Sequence, residues 1–159
     1  GIIPGIMRMA DENRPIKLAI SLHATTNENR MKLMPISKKY TLKEIGNAAE
    51  YYYRKTRKPI TYEYILLEGI NDTDLDIQRL AKICRRVPSK VNVIPFHAID
   101  FTHPDGFAAE LKPTQLHDFQ RFIAKLRNND VTVMIRSSSG EDIDAACGQL
   151  AFSTSTKSL

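Results

Sequence analysis

The sequence predicts an α/β fold built from parallel βα units, and three observations carry that prediction. Apolar, β-rich runs fall at residues 17–22, 60–67, 90–96 and 131–135, each closed by turn-prone or charged residues. Stretches with helical signals alternate with them, at residues 28–32, 41–56, 73–86 and 114–128. The runs are nearly continuous in their apolar character, which marks strands covered on both faces. Right-handed crossovers then place the helices on the outer side of the sheet.

Each element has its own local warrant. The first strand ends in Ser21-Leu22-His23-Ala24, and a short helix follows it. Thr41 with Glu44 forms a capping box that opens the second helix. The second strand ends in Leu67-Glu68-Gly69-Ile70-Asn71-Asp72, and Thr73 reads as the N-cap of the next helix. Pro95-Phe96-His97 closes the third strand. Thr114 reads as the last N-cap, ahead of Leu116, Phe119, Phe122, Ile123 and Leu126 at helical spacing. The fourth strand runs into Arg136-Ser137-Ser138-Ser139-Gly140, after which Asp142 or Asp144 can cap a final helical turn carrying Cys147. Three or four such units make an incomplete barrel or an open sheet, since eight need roughly 250 residues. The expected organisation is one half-barrel domain over residues 1–151 and a disordered tail over 152–159.

Composition narrows the class. The 159 residues are 42% hydrophobic and 26% charged, ordinary globular values, and no apolar run approaches the roughly 18 residues of a membrane span. Membrane contact is not expected. No secretory leader is visible, and an opening at Gly1 without Met reads as an artificial boundary. Lys and Arg outnumber Asp and Glu by 23 to 18, with pairs and runs at Lys38-Lys39, residues 54–58 and Arg85-Arg86. These are either solvated helix faces and ends or contacts to a polyanion such as RNA. Cys84 and Cys147 show no C-x-x-C spacing, so the chain alone assembles neither a zinc site nor an iron–sulfur cluster, and no metal ligand is assigned. Reduced cysteines fit a cytoplasmic protein. Gly-x-Gly-x-x-Gly and phosphate-loop motifs are absent, which argues against a nucleotide triphosphatase or a dinucleotide enzyme.

In parallel α/β folds the active site gathers beyond the carboxyl ends of the strands, so the residues closing each strand are the candidates. His23, set beside Ser21, either lines a ligand site or is a strand-end imidazole bonded to backbone, and His97 poses the same alternatives. Cys147 carries the most chemical potential, because a thiolate is a strong nucleophile and accepts alkyl groups; flanked by Ala145, Ala146 and Gly148 it also suits plain packing. Cys84 reads as core. A thiol hydrolase using Cys147, a histidine and Asp142 or Asp144 is conceivable, with nothing to fix its geometry.

Five blocks, taken in order, resemble the RlmN-type radical-SAM RNA adenine methyltransferases. They are Leu18-Ala19-Ile20-Ser21-Leu22-His23-Ala24, Lys32-Leu33-Met34-Pro35-Ile36, the stretch from Glu63 to Asp72, Val91-Asn92-Val93-Ile94-Pro95-Phe96, and the stretch from Asp142 to Leu150 with Cys147 inside it. The resemblance covers residues 1 to about 151 and matches the C-terminal half of that family. It implies a partial (β/α) barrel of the radical-SAM type that holds S-adenosylmethionine and a 4Fe-4S cluster. Carbon 2 of an adenosine in 23S rRNA and of another in tRNA is methylated there, with an external electron donor reducing the cluster. The cluster motif C-x-x-x-C-x-x-C does not occur in this chain, so the chain alone is expected to be inactive.

By the same resemblance Cys147 is the cysteine that receives a methyl group from one S-adenosylmethionine. A 5′-deoxyadenosyl radical from a second then converts that methyl into the carbon radical that adds to adenine. Ser21, Leu22 and His23 match residues that contact S-adenosylmethionine. His97 stands where many relatives have Asn, a departure that still leaves a hydrogen-bonding group at the site. Two other readings remain at this point: a non-catalytic RNA-binding half-barrel, and the related methyltransferase that acts on carbon 8 of the same rRNA adenosine.

Overall fold

The computed structural model describes residues 2–97 and 106–136. The element order is α1 (Ile3–Asp11), β1 (Ala19–Ser21), α2 (Asn27–Leu33), a 3-10 turn (Pro35–Lys38), α3 (Leu42–Thr56), β2 (Ile60–Leu66), α4 (Asp74–Cys84), β3 (Ser89–Pro95), α5 (Gly106–Ala109), α6 (Leu116–Asn128) and β4 (Thr132–Ile135). The four strands form one sheet in the order β1-β2-β3-β4, every pair parallel. This is the expected α/β architecture, with β1 and β4 as its edges among the described residues. No helix of the described residues is long and apolar enough to cross a membrane.

Caps fix where the helices begin. Thr41 and Glu44 form the expected box at α3, and Thr73 with Asp76 forms a second at α4, each hydroxyl accepting an amide proton and each carboxylate answering to the cap's own N–H. Thr114 is a correction. The N-cap of α6 is Gln115 and makes no side-chain cap bond, while the Thr114 hydroxyl donates to Asp72 at 3.1 Å. The first strand is also shorter than the run at 17–22, because Leu22 and His23 both turn their amides onto one acceptor, the Glu63 carbonyl. Helix α1 was not expected from a segment with Pro4 and Gly5. Proline in the first turn is tolerated, and Ile6 and Ala10 are buried against α3.

The core lies between the sheet and the helices on one face. Tyr62, Tyr64 and Leu66 of β2, Val91 and Val93 of β3, and Leu80, Phe122 and Leu126 of the helices are fully buried. Tyr64 stacks on Phe122 with centroids 5.9 Å apart. Cys84 belongs here as expected, and burial pushes its thiol up to about 11.

The opposite face differs from the sequence reading. The strands alternate rather than running continuously apolar: β2 follows a strict buried, half-buried pattern, with Thr61, Glu63 and Ile65 on the second face. Strand register puts Ser21, Glu63, Asn92 and Met134 in one row across all four strands. That row is the inner, barrel-side face of the sheet, and it is polar at three of four positions.

Candidate active site

The carboxyl ends of β1, β2 and β3 lie along one edge of the sheet, and four of the five residues expected to matter are there. Ser21 is the last residue of β1 and is exposed on the inner face, while Leu22 is buried. His23 takes φ of 54°, the left-handed region, which turns the chain sharply off the strand. The ring folds back over the sheet, so that the Ile65 N–H donates to Nδ1 at 3.2 Å. The neutral imidazole then carries its proton on Nε2, a donor directed away from β2. The backbone alternative for His23 thus holds at Nδ1, and that bond does not occupy Nε2.

The histidine is also held in its neutral form. Burial, reinforced by the nearby Arg30 guanidinium, pushes the imidazole from its ordinary 6.5 down to about 4. The unfolded chain therefore binds more protons than the folded one between those two values. Stability from this group is complete above pH 6.5 and is lost as the pH falls from about 6.5 to about 4, by roughly 2–3 kcal/mol. In His23→Asn, which keeps a residue suited to positive φ, the fall in unfolding free energy from urea titration between pH 7 and pH 4.5 should shrink by that amount; an unchanged fall would show that His23 is not the group responsible.

Two residues that the sequence did not single out build this turn. Asn71 is completely buried and uses its whole amide: Nδ2 donates to the carbonyls of His23 (2.8 Å) and Ile65 (2.7 Å), and Oδ1 accepts from the Leu67 N–H at 2.8 Å. Its own carbonyl accepts from the Tyr64 hydroxyl at 2.7 Å. Arg30, on α2, is also completely buried. It donates through Nε to Leu22 O (3.2 Å), through Nη2 to Ser21 O (3.3 Å), and through Nη1 to Ser37 Oγ (2.8 Å) and Tyr40 O (3.4 Å). A helix with Glu28 and Lys32 reads as solvated, and only the structure shows which of its charges turns inward. Farther along the same crossover, the Thr25 hydroxyl donates to buried Asp76, tying the chain after His23 to the cap of α4.

His97 is exposed and follows Pro95, the last residue of β3. It borders a cleft of about 440 Å³ lined by Leu66, Pro95, Phe96, Thr114, Leu116 and Phe119. Beside it, the Glu68 N–H donates to Lys112 O at 3.0 Å, next to the bridge between Leu67 and Pro113. The structure thus brings Ser21, Leu22, His23 and His97 to one edge of the sheet, with β2 between the first three and the last. Cys147, with Asp142, Asp144 and the 152–159 tail, lies outside the described residues.

The row on the inner face holds a further carboxylate. Glu63 Oε1 accepts from Asn92 Nδ2 at 2.9 Å, and Oε2 is buried without a hydrogen-bond partner among the described residues. No group of three or more His, Cys, Asp and Glu that could hold a metal occurs among the described residues.

The basic clusters separate by position. Lys38 and Lys39 are exposed on the edge that holds the candidate site, because their neighbours Ser37 and Tyr40 are bonded to Arg30 and, through it, to the end of β1. The run at 54–58 ends α3 and immediately precedes β2, so it sits at the opposite edge. There Lys55 pairs with Asp11 at 3.6 Å, and Arg86, two residues past α4, pairs with Glu50 at 2.8 Å.

No family model matches the chain. It is 44% identical over 151 residues to a "Probable dual-specificity RNA methyltransferase RlmN" of Flavobacterium johnsoniae, covering 95% of this chain and 41% of that protein. A protein of the same description from Clostridium perfringens is 39% identical over 94% of this chain and 41% of its own length. The chain therefore spans about two fifths of the length of these relatives. Among solved structures, a radical SAM methyltransferase from Sphaerobacter thermophilus is 35% identical with a TM-score of 0.81, covering 94% of this chain and 42% of that one. A domain of pyruvate-formate lyase-activating enzyme from Bacteroides vulgatus, at 19% identity, shares the fold, with a TM-score of 0.61 over 82% of this chain and 74% of its own.

Proposed function

We propose that this chain, which belongs to the RlmN-type family over about two fifths of those proteins' length, is the part of an RNA adenine methyltransferase that carries the methyl-accepting cysteine and one wall of the S-adenosylmethionine site. The observation that supports this best is the convergence of Ser21, Leu22 and His23 at the carboxyl end of β1, in a fold shared with a radical SAM methyltransferase at 35% identity. The enzyme acts on carbon 2 of adenosine in 23S rRNA and tRNA. It works in the cytoplasm with an external electron donor.

The residues present fit S-adenosylmethionine, whose ribose, amino and carboxylate groups need both donors and acceptors. Ser21 offers an exposed hydroxyl, His23 a donor at Nε2, and Glu63 an acceptor oxygen without a donor among the described residues. They do not fit a 4Fe-4S cluster. Cys84 is buried with its thiol pushed up to about 11, and the described residues contain no metal-holding group. The cluster's ligands then belong to the remaining length of the enzyme.

S-adenosylmethionine, when bound, supplies a methyl group and a sulfonium that activates it. The Cys147 thiolate would accept that methyl, its sulfur forming the new bond to carbon as the sulfonium–methyl bond breaks and S-adenosylhomocysteine leaves. Carbon 2 of adenine is electron-poor and offers no nucleophile of its own, so a carrier on the protein is required. His23 stays neutral at working pH, donating one hydrogen bond without adding a positive charge beside a cationic ligand. The Ile65 amide and the Asn71 clamp hold its ring and backbone in place. RNA approaching this edge meets Lys38 and Lys39, which are exposed there to take phosphates.

The test is anaerobic incubation of the full-length enzyme, with its cluster assembled, with methyl-labelled S-adenosylmethionine and transcripts of 23S rRNA and tRNA. The expected product after nuclease digestion is 2-methyladenosine from both RNAs. 8-Methyladenosine alone would reassign the enzyme to the carbon-8 activity, and no labelled nucleoside would reject the reading.

A further inference from the structure

Within the inner row, Glu63 carries a buried side-chain oxygen that has no hydrogen-bond partner among the described residues. It faces Ser21 on β1 and Asn92 on β3 in strand register. Asn92 Nδ2 holds Oε1 at 2.9 Å, which fixes the plane of the carboxylate and directs Oε2. That second oxygen is buried and meets no donor among the described residues. A buried carboxylate oxygen in this condition is costly, and such groups are nearly always matched by a donor in the complete, liganded molecule.

From this geometry we infer that Glu63 is a further cofactor-binding residue, its Oε2 accepting a hydrogen bond from a hydroxyl or ammonium group of S-adenosylmethionine. The inference rests on the reading above that this ligand sits against Ser21, Leu22 and His23. Glu63 meets that segment twice. Its side chain shares a row with Ser21, and its backbone carbonyl accepts from the N–H groups of Leu22 and His23 at 3.0 and 3.3 Å. A ligand touching Ser21 therefore lies within reach of Glu63 as well. The row is one layer deeper than His23, toward the amino ends of the strands. RNA entering at the edge reaches His23 and the lysines first, whereas a small ligand seated in the mouth reaches the row.

Asn92 makes the substitution Glu63→Gln informative. Its Nδ2 needs an acceptor, so the glutamine turns Oε1 toward Asn92 and presents its NH2 to the ligand. A donor then faces a donor, with almost no change in volume.

S-adenosylhomocysteine titrated calorimetrically into the full-length protein, alongside thermal unfolding of the free protein, tests this without turnover. Glu63→Gln should weaken binding by about 10- to 100-fold while the unfolding midpoint stays within a few degrees of wild type. Methylthioadenosine, which has the ribose but lacks the ammonium, identifies the donor: a persisting penalty assigns the ribose hydroxyls, a vanished one the ammonium. Equal affinities of wild type and Glu63→Gln would overturn the inference. So would a lowered midpoint with unchanged affinity, since Oε2 would then be satisfied by another part of the protein. Should Glu63→Gln not fold, Asn92→Ala keeps the acceptor but frees its orientation and should weaken binding by roughly 3- to 10-fold, with no change again overturning the inference. Failure of the wild type itself to bind S-adenosylhomocysteine would reject the cofactor reading, and this inference with it.

Discussion

Cys147→Ala in the full-length enzyme should reduce RNA methylation by about a thousandfold or more and remove any one-carbon adduct from the peptide containing residue 147. The size follows from the role. A residue that forms a bond to the transferred carbon has no partial substitute, unlike one that only orients a substrate, and alanine can neither accept nor hold a methyl group. S-adenosylhomocysteine affinity should be unchanged, because the proposed binding residues, Ser21, Leu22, His23, Glu63 and His97, do not include it. Cys84→Ala is the matched control. Its thiol lies in the core, is pushed up to about 11 and is thus not a thiolate at neutral pH, so its loss should alter stability by a modest amount and methylation by no more than a few-fold. Peptide mass mapping of the wild type decides the assignment: an unmodified Cys147 in protein that still methylates RNA would return that residue to a packing role.

The elements that could be read in the sequence are those specified by local chemistry. The box at Thr41-Glu44 and the N-cap at Thr73 announce α3 and α4 because each is satisfied within four residues. Thr114 misled for the same reason in reverse: its hydroxyl found Asp72, 42 residues away, and no local pattern reveals such a partner. The strand positions followed from β-rich runs, but their inner face did not. In Ile60-Thr61-Tyr62-Glu63-Tyr64-Ile65-Leu66 the tyrosines count as apolar and mask an alternation that leaves Thr61 and Glu63 facing the barrel interior. Strand-end logic brought out Ser21, Leu22, His23 and His97. It could not bring out Asn71 or Arg30, because an asparagine in a turn after Gly69 and an arginine in a charged helix have ordinary solvated explanations. Their burial is a property of the assembled crossover, not of any window of sequence.

Arg30→Met should be the most destabilising substitution near the site, costing on the order of 3 kcal/mol and lowering the unfolding midpoint by roughly 6–12 °C. The guanidinium is completely buried, and no carboxylate bonds to it among the described residues; its partners are three backbone carbonyls and the Ser37 hydroxyl. Methionine fills much of the space but satisfies none of them. The carbonyls of Ser21 and Leu22 would then be buried without donors at the very turn that aims His23. Offsetting this, the mutant no longer desolvates a charge, which is why the expected loss is less than the sum of four charged hydrogen bonds. Arg30→Lys should recover little, since one ammonium cannot span acceptors that a planar fork reaches from three nitrogens. The same substitution has an electrostatic signature. Removing the cation that helps hold His23 near 4 should raise the histidine's pKa toward its ordinary 6.5, measurable by NMR titration of the imidazole. A stable Arg30→Met protein with an unshifted His23 would mean that α2 and the 3-10 turn stay docked on β1 without the guanidinium, and that burial alone keeps the imidazole neutral.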